Sequence, residues 1–134
     1  MRLFRKFRHD ERGAAAMEFA LVSPALILFV VGIAQLGTLF MAQSGLTNAV
    51  AEGARYATVY PRPTDTQIAA RMAEARYGLN PANITVEPFA HGEVDSANYI
   101  DITMSYDVTP DFIFFTLPEI TLTETRRAFI HEVE

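Results

Sequence analysis

The chain has 134 residues, half of them hydrophobic, with no Cys, no Trp and a formal net charge of −5. That length holds one modest domain, or a smaller domain with an extended appendage, and without Cys there is no disulfide framework or thiolate metal site. Residues 1–13 carry five basic against two acidic side chains, whereas the remainder carries six Arg against fourteen acids, a balance that excludes nucleic acid as its partner because phosphate binding needs a basic face.

Arg2, Arg5, Lys6, Arg8 and Arg12 outweigh Asp10 and Glu11, so residues 1–13 form a basic leader. Beyond it, no ionisable residue lies between Glu18 and Glu52, which leaves 33 consecutive uncharged positions. A soluble domain with a single core rarely holds such a run. Residues 19–42, from Phe19 to Ala42, make about 36 Å of helix at 1.5 Å per residue, enough for one slightly tilted crossing of a 30 Å hydrocarbon core. Leu21, Val22, Leu26, Ile27, Phe29, Val30 and Ile33 are apolar on every side of the wheel, as lipid requires. Pro24 falls in the first turns, where it costs least. Basic residues flanking a span stay on the cytoplasmic side, so the expectation is a single pass with the N-terminus in and the C-terminus out. A cleaved secretory signal fits poorly, because the apolar region is too long and Ala14-Ala15-Ala16 precedes it.

Glu18 has two readings on sequence alone. It is an interfacial acid favoured by the positive end of the helix, or a carboxylate that meets a cationic partner only in an assembly.

Arg12-Gly13 followed by Ala14-Ala15-Ala16-Met17-Glu18-Phe19 and a long apolar helix resembles the processing region of type IV pilin-like precursors. The stretch from Gly13 to Pro24, then Gly32-Ile-Ala-Gln-Leu-Gly37 and Glu52-Gly-Ala-Arg-Tyr-Ala57, resembles the TadE-like family. Members of that family are minor pilin-like (pseudopilin) proteins of the tight-adherence, or Flp, pilus; the TadF-like group shares the N-terminal pattern. The resemblance is detailed over residues 12–60 and general beyond them. It implies cleavage between Gly13 and Ala14 by a prepilin peptidase, which leaves Glu18 fifth in the mature chain. It also implies a place in the bacterial inner membrane and in the pilus, with other pilin subunits as partners. Phe19 stands where the major pilins of this system have Tyr. The new amine of Ala14, with a reference pKa near 8, would be cationic one helical turn from Glu18. Pairing the two inside a filament would relieve both charges at once.

The long helix is expected over residues 14–60, since no Pro occurs between Pro24 and Pro61. Gly45, Ala49, Gly53 and Ala57 recur every four residues and form a helix-packing ridge of small side chains. Such a ridge serves either a neighbouring subunit or the chain's own head; both readings stand at this point. Glu52 and Arg55 are spaced as a minor surface pair.

Residues 61–134 are expected to form an extracytoplasmic head. Asp65 to Tyr77 reads as an amphipathic helix with Ile68, Met72 and Ala75 on one face, Thr64 as its N-cap and Gly78 as its stop. Ile84 and Val86 suggest a short strand. Tyr99 to Val108 alternates, with Ile100, Ile102, Met104, Tyr106 and Val108 on one face. Phe112-Ile113-Phe114-Phe115, between Pro110 and Pro118, reads as core or interface packing, with a membrane-proximal or partner-binding tip as the rival. Glu119 to Glu132 reads as a last strand. The fold class is therefore α+β: a long N-terminal transmembrane helix and a small C-terminal head of one helix and about three antiparallel strands.

No pattern of catalytic residues emerges. His9, His91 and His131 are scattered, and Glu93, Asp95 and Asp101 lack calcium-loop spacing, so neither metal nor cofactor is expected. There is no phosphate-binding Gly loop and no Gly-x-Ser-x-Gly. The leading expectation is a structural, non-enzymatic minor pilin precursor processed after Gly13. The alternatives are an uncleaved membrane-anchored scaffold and, more remotely, a membrane-tethered enzyme or solute-binding domain.

Overall fold

The computed structural model describes residues 11–112 and 115–130; for residues 11 and 12 it describes the backbone alone. Most of the basic leader, His9, His131 and the Ile113-Phe114 pair lie outside the described residues. The uncharged run is helical throughout. A single helix, α1, spans Glu11–Ala57 and passes through Pro24 unbroken. Its 47 residues give a rod of about 70 Å.

The rod has two halves with different surroundings. Between Met17 and Met41 large apolar side chains point into open space: Phe19, Leu21, Phe29 and Phe40 are each about two-thirds exposed or more. From Ala42 onward one face is covered, and Leu46, Ala49, Val50 and Ala57 are almost wholly buried. Ala42, the last residue of the expected span, already lies beneath the head.

The head is built on that covered face. Helix α2, Asp65–Glu74, starts at Thr64 in a capping box: the Gln67 N–H donates to Thr64 Oγ1, and the Thr64 N–H donates to Gln67 Oε1. It ends three residues before the expected Tyr77, with Ala75 as its cap. Asn48 of α1 donates a 2.9 Å hydrogen bond to the Ala75 carbonyl, which also accepts from the Tyr77 N–H at 3.0 Å. Ile68 and Met72 are the buried face of α2.

The sheet has four strands where about three were expected. Strand β3, Ala97–Val108, is its spine, antiparallel along its length to β6, Ile120–Ile130. The other edge of β3 is shared end to end by β1, Ile84–Val86, and β2, Ala90–Val94. Ile100, Ile102, Met104 and Tyr106 face inward and are buried, as the alternation requires. Across from them on β6, Ala128 and Ile130 are buried and Leu122 partly so. A separate hairpin joins β4, Asp111–Phe112, to β5, Phe115–Thr116.

The strand absent from the sequence expectation is β2. Its residues, Ala-His-Gly-Glu-Val, do not alternate, and its turn to β3 is Asp95-Ser96. Both turn residues have positive φ, 50° and 63°, which gives the twist of a two-residue hairpin without the usual Gly. Tyr99 compensates for Gly92: its ring lies over the spot where a side chain at 92 would stand.

Candidate functional site

At the N-terminal end of α1, Gly13, Ala14 and Glu18 are exposed on helical backbone, and a Cβ on Gly13 would meet nothing within 4 Å. No described side chain pairs with Glu18. The Gly13–Glu18 segment thus stands clear of the head, at the far end of a bare apolar rod.

The small-residue ridge lies at the other end, and the chain covers it itself. All four positions, Gly45, Ala49, Gly53 and Ala57, are buried. A Cβ on Gly45 would strike the Tyr77 carbonyl oxygen and press on Leu79 at 3.2 Å. One on Gly53 would fall 2.5 Å from Met72 Cγ. Close approach of α2 and the loop after it therefore uses the ridge. Of the two readings left open by the spacing, packing on the chain's own head is the one this geometry occupies.

Glu52 has more to do than the expected surface pair. Arg55 donates to both its oxygens, at 2.7 and 2.9 Å, and Arg71 of α2 donates to Oε1 at 3.1 Å. Arg71 in turn reaches Glu74 at 2.8 Å. The Arg55 hydrogen bond, above all, holds the Glu52 carboxyl down at about 2 from an ordinary 4.5, with Arg71 adding to it. This carboxylate ties α1 to α2 at the rim of the ridge.

On the outer face of the sheet, Arg127 grips Asp101 through two 2.8 Å hydrogen bonds and lies 3.8 Å above the Tyr99 ring centre. The guanidinium holds the Asp101 carboxyl below its usual range. Phe129 meets Tyr99 edge to face at 6.3 Å. At the sheet's end, His91 Nε2 lies 3.0 Å from Asp65, and His91 Nδ1 lies 3.3 Å from Arg62. Glu93, Asp95 and Asp101 do not converge; among the described residues no three His, Asp or Glu side chains are grouped as a metal ion needs.

One feature has no precedent in the chain's local pattern. The β4–β5 hairpin reaches back to α1 well below the head: a Cβ on Gly32 would lie 3.8 Å from Phe112 Cε1, and the Gln35 side-chain amide donates to the Asp111 carbonyl. Phe112 and Phe115 stack at 4.9 Å with their planes 11° apart. Sequence reasoning flagged the aromatic cluster but had no signal for where it lands, some eighty positions back along the chain.

Residues 13–55 match the family model described as TadE-like protein. That segment begins on Gly13 and takes in the bare helix, Glu18 and most of the ridge. The matched residues lie within α1, the one described helix long and apolar enough to cross a membrane. No curated protein and no solved structure matches the chain.

Proposed function

We propose that this chain is a structural minor pilin-like subunit of a tight-adherence pilus. It is inserted by α1 in the bacterial inner membrane with its N-terminus inside and its head outside, and is cut after Gly13 by a prepilin peptidase. The observation that carries the reading is the placement of Gly13–Glu18 at the open end of a bare apolar helix, within a segment that matches the TadE-like family. The peptidase finds an exposed Gly there, and removal of the basic leader weakens the attachment to anionic headgroups. The freed Ala14 amine and the Glu18 carboxylate, one turn apart, then supply a charge pair for packing against other pilin subunits. The role is mechanical and not enzymatic.

Mass spectrometry of the protein from its native host tests the processing step. A mature N-terminus at Ala14 is expected; retention of Met1 or Arg2 would overturn it and leave an uncleaved scaffold. Glu18→Ala is expected to insert normally into the membrane but to enter pili less. Undiminished incorporation would remove the pairing role.

A further inference from the structure

We infer that the free edge of β6 docks a second copy of the chain, strand to strand, antiparallel about a two-fold axis through Thr125. β6 pairs on one side only, with β3. It has 11 residues, no Pro, and a register with β3 that no bulge interrupts. Thr103 of β3 accepts at its carbonyl from the Glu87 N–H, on the side away from β6. Thr103 and its β6 partner Thr125 are therefore a non-hydrogen-bonded pair, and the N–H and C=O of Thr125 point off the sheet. The same holds at every second position, for Thr121, Thr123, Arg127 and Phe129. Among the described residues none of these backbone groups has a partner. Natural sheets guard such an edge with Lys, Pro, a bulge or inward-facing charges. β6 uses only the last, at Glu124 and Arg126.

Those two charges identify the occupant. Glu124 and Arg126 lie 3.7 Å apart, opposite in sign, one on each side of Thr125. A second β6 running antiparallel about Thr125 sets Glu124 against Arg126 twice, once on each side of the axis. The same register sets Ile120 against Ile130 and Leu122 against Ala128, and uses the whole strand. Its outward groups then form about ten backbone hydrogen bonds. An axis moved one position either way would set Glu124 against Glu124 or Arg126 against Arg126, like charges directly opposed. The pair also has a fixed orientation. Phe129 and Ile130 share a cleft with Ala57 and Val59, whereas Ile120 pairs with Val108, just before the hairpin that rests beside Gln35. β6 thus runs the same way as α1, and antiparallel pairing points the two α1 rods in opposite directions. Two copies anchored in one bilayer cannot pair so; two copies on facing bilayers can.

The chain has no Cys, so Thr125→Cys carries its only thiol. Across the axis the two Cα atoms at 125 stand about 5.5 Å apart, within disulfide reach. In the same register the two thiols of Thr121→Cys stand about 27 Å apart. Copper–phenanthroline oxidation of the full chain in dilute detergent is expected to give a dimer with Thr125→Cys and at least tenfold less with Thr121→Cys. On the Thr125→Cys background, Glu124→Arg and Arg126→Glu are each expected to lower the dimer at least tenfold. An equal mixture of the two is expected to restore it, which misfolded chains could not do. No dimer, equal dimer from both thiol positions, or no recovery in the mixture would overturn the pairing. So would a cross-linked product in the native host that contains another protein and no dimer. Tagged and untagged Thr125→Cys chains are then reconstituted into separate phosphatidylcholine vesicles and mixed. Mixed dimers are expected; dimers confined to one vesicle population, or none, would overturn pairing between facing membranes. The detergent experiment does not require α1 to cross a membrane, so failure of that reading leaves its result standing.

Discussion

Gly53 of α1 lies directly beneath Met72 of α2, so close that a methyl group at 53 would fall 2.5 Å from Met72 Cγ and 2.9 Å from its sulfur. Eight residues earlier, Gly45 stands in the same relation to the Tyr77 carbonyl. The two sites differ in what can yield. Met72 is a flexible side chain, whereas the carbonyl belongs to the backbone. Gly53→Ala is therefore expected to cost about 1–2 kcal/mol, overpacking being offset in part by the better helix propensity of Ala. Gly45→Ala should cost more, about 2–3 kcal/mol. Urea titration of the full chain in detergent, followed by the tyrosine near-ultraviolet signal, gives the order; equal midpoints for the two variants would refute it.

Acid should loosen the joint between α1 and α2. The Glu52 carboxyl is depressed from 4.5 to about 2 by its hydrogen bonds to Arg55 and Arg71, so the folded state favours the ionised form. Stability from this source is complete above pH 4.5 and is lost as pH falls from there toward 2. Between pH 7 and pH 5 the melting temperature is expected to be insensitive to this group. Glu52→Gln should lower it at neutral pH and flatten its decline below pH 4.5. A decline of unchanged steepness in that variant would place the acid sensitivity elsewhere.

Thr64 carries the start of α2. Both halves of its capping box are formed, at 2.9 and 3.3 Å, and the helix has only ten residues over which to spread the loss. Thr64→Ala should cost about 1 kcal/mol and Thr64→Asp considerably less, read from the same urea midpoints. Equal losses in the two variants would mean that the cap oxygen is not what matters.

Arg127 is expected to matter more than its partner Asp101. Removing Asp101 deletes one exposed ion pair, which contributes under about 1 kcal/mol. Removing Arg127 deletes the same pair and also uncovers the Tyr99 ring, which adds about 0.5–1 kcal/mol. Thermal melts of Asp101→Asn and Arg127→Ala should show the larger drop for Arg127; the reverse order would contradict the stacking.

Where the sequence was legible, one physical pattern repeated often enough to be read. The uncharged run named α1, the small-residue spacing named its packing face, and the alternation from Ile100 to Val108 named the spine of the sheet. The strand β2 escaped because Gly92 and Glu93 break any alternation, and Asp95-Ser96 lacks the Gly that usually marks such a turn. The partners of the ridge were not readable either, since spacing reveals a close approach but not what approaches. Nor was the landing of Phe112 on Gly32, a contact that only the assembled sheet brings about. Gly13, Ala14 and Glu18 were singled out only through a resemblance to a processing motif; the structure shows them exposed on helical backbone, away from the head.

The continuity of α1 has a mechanical meaning. Ala14 at one end and the buried ridge at the other belong to a single rod, with no hinge at Pro24 and no loop between them. A pull along that rod reaches the head as shear across the whole face from Gly45 to Ala57. Leu46, Val50, Ile68 and Met72 would have to slide together, and none can peel away first. Contacts loaded in parallel withstand more force than the same contacts loaded one by one, so the axis of α1 is the strong direction of this molecule.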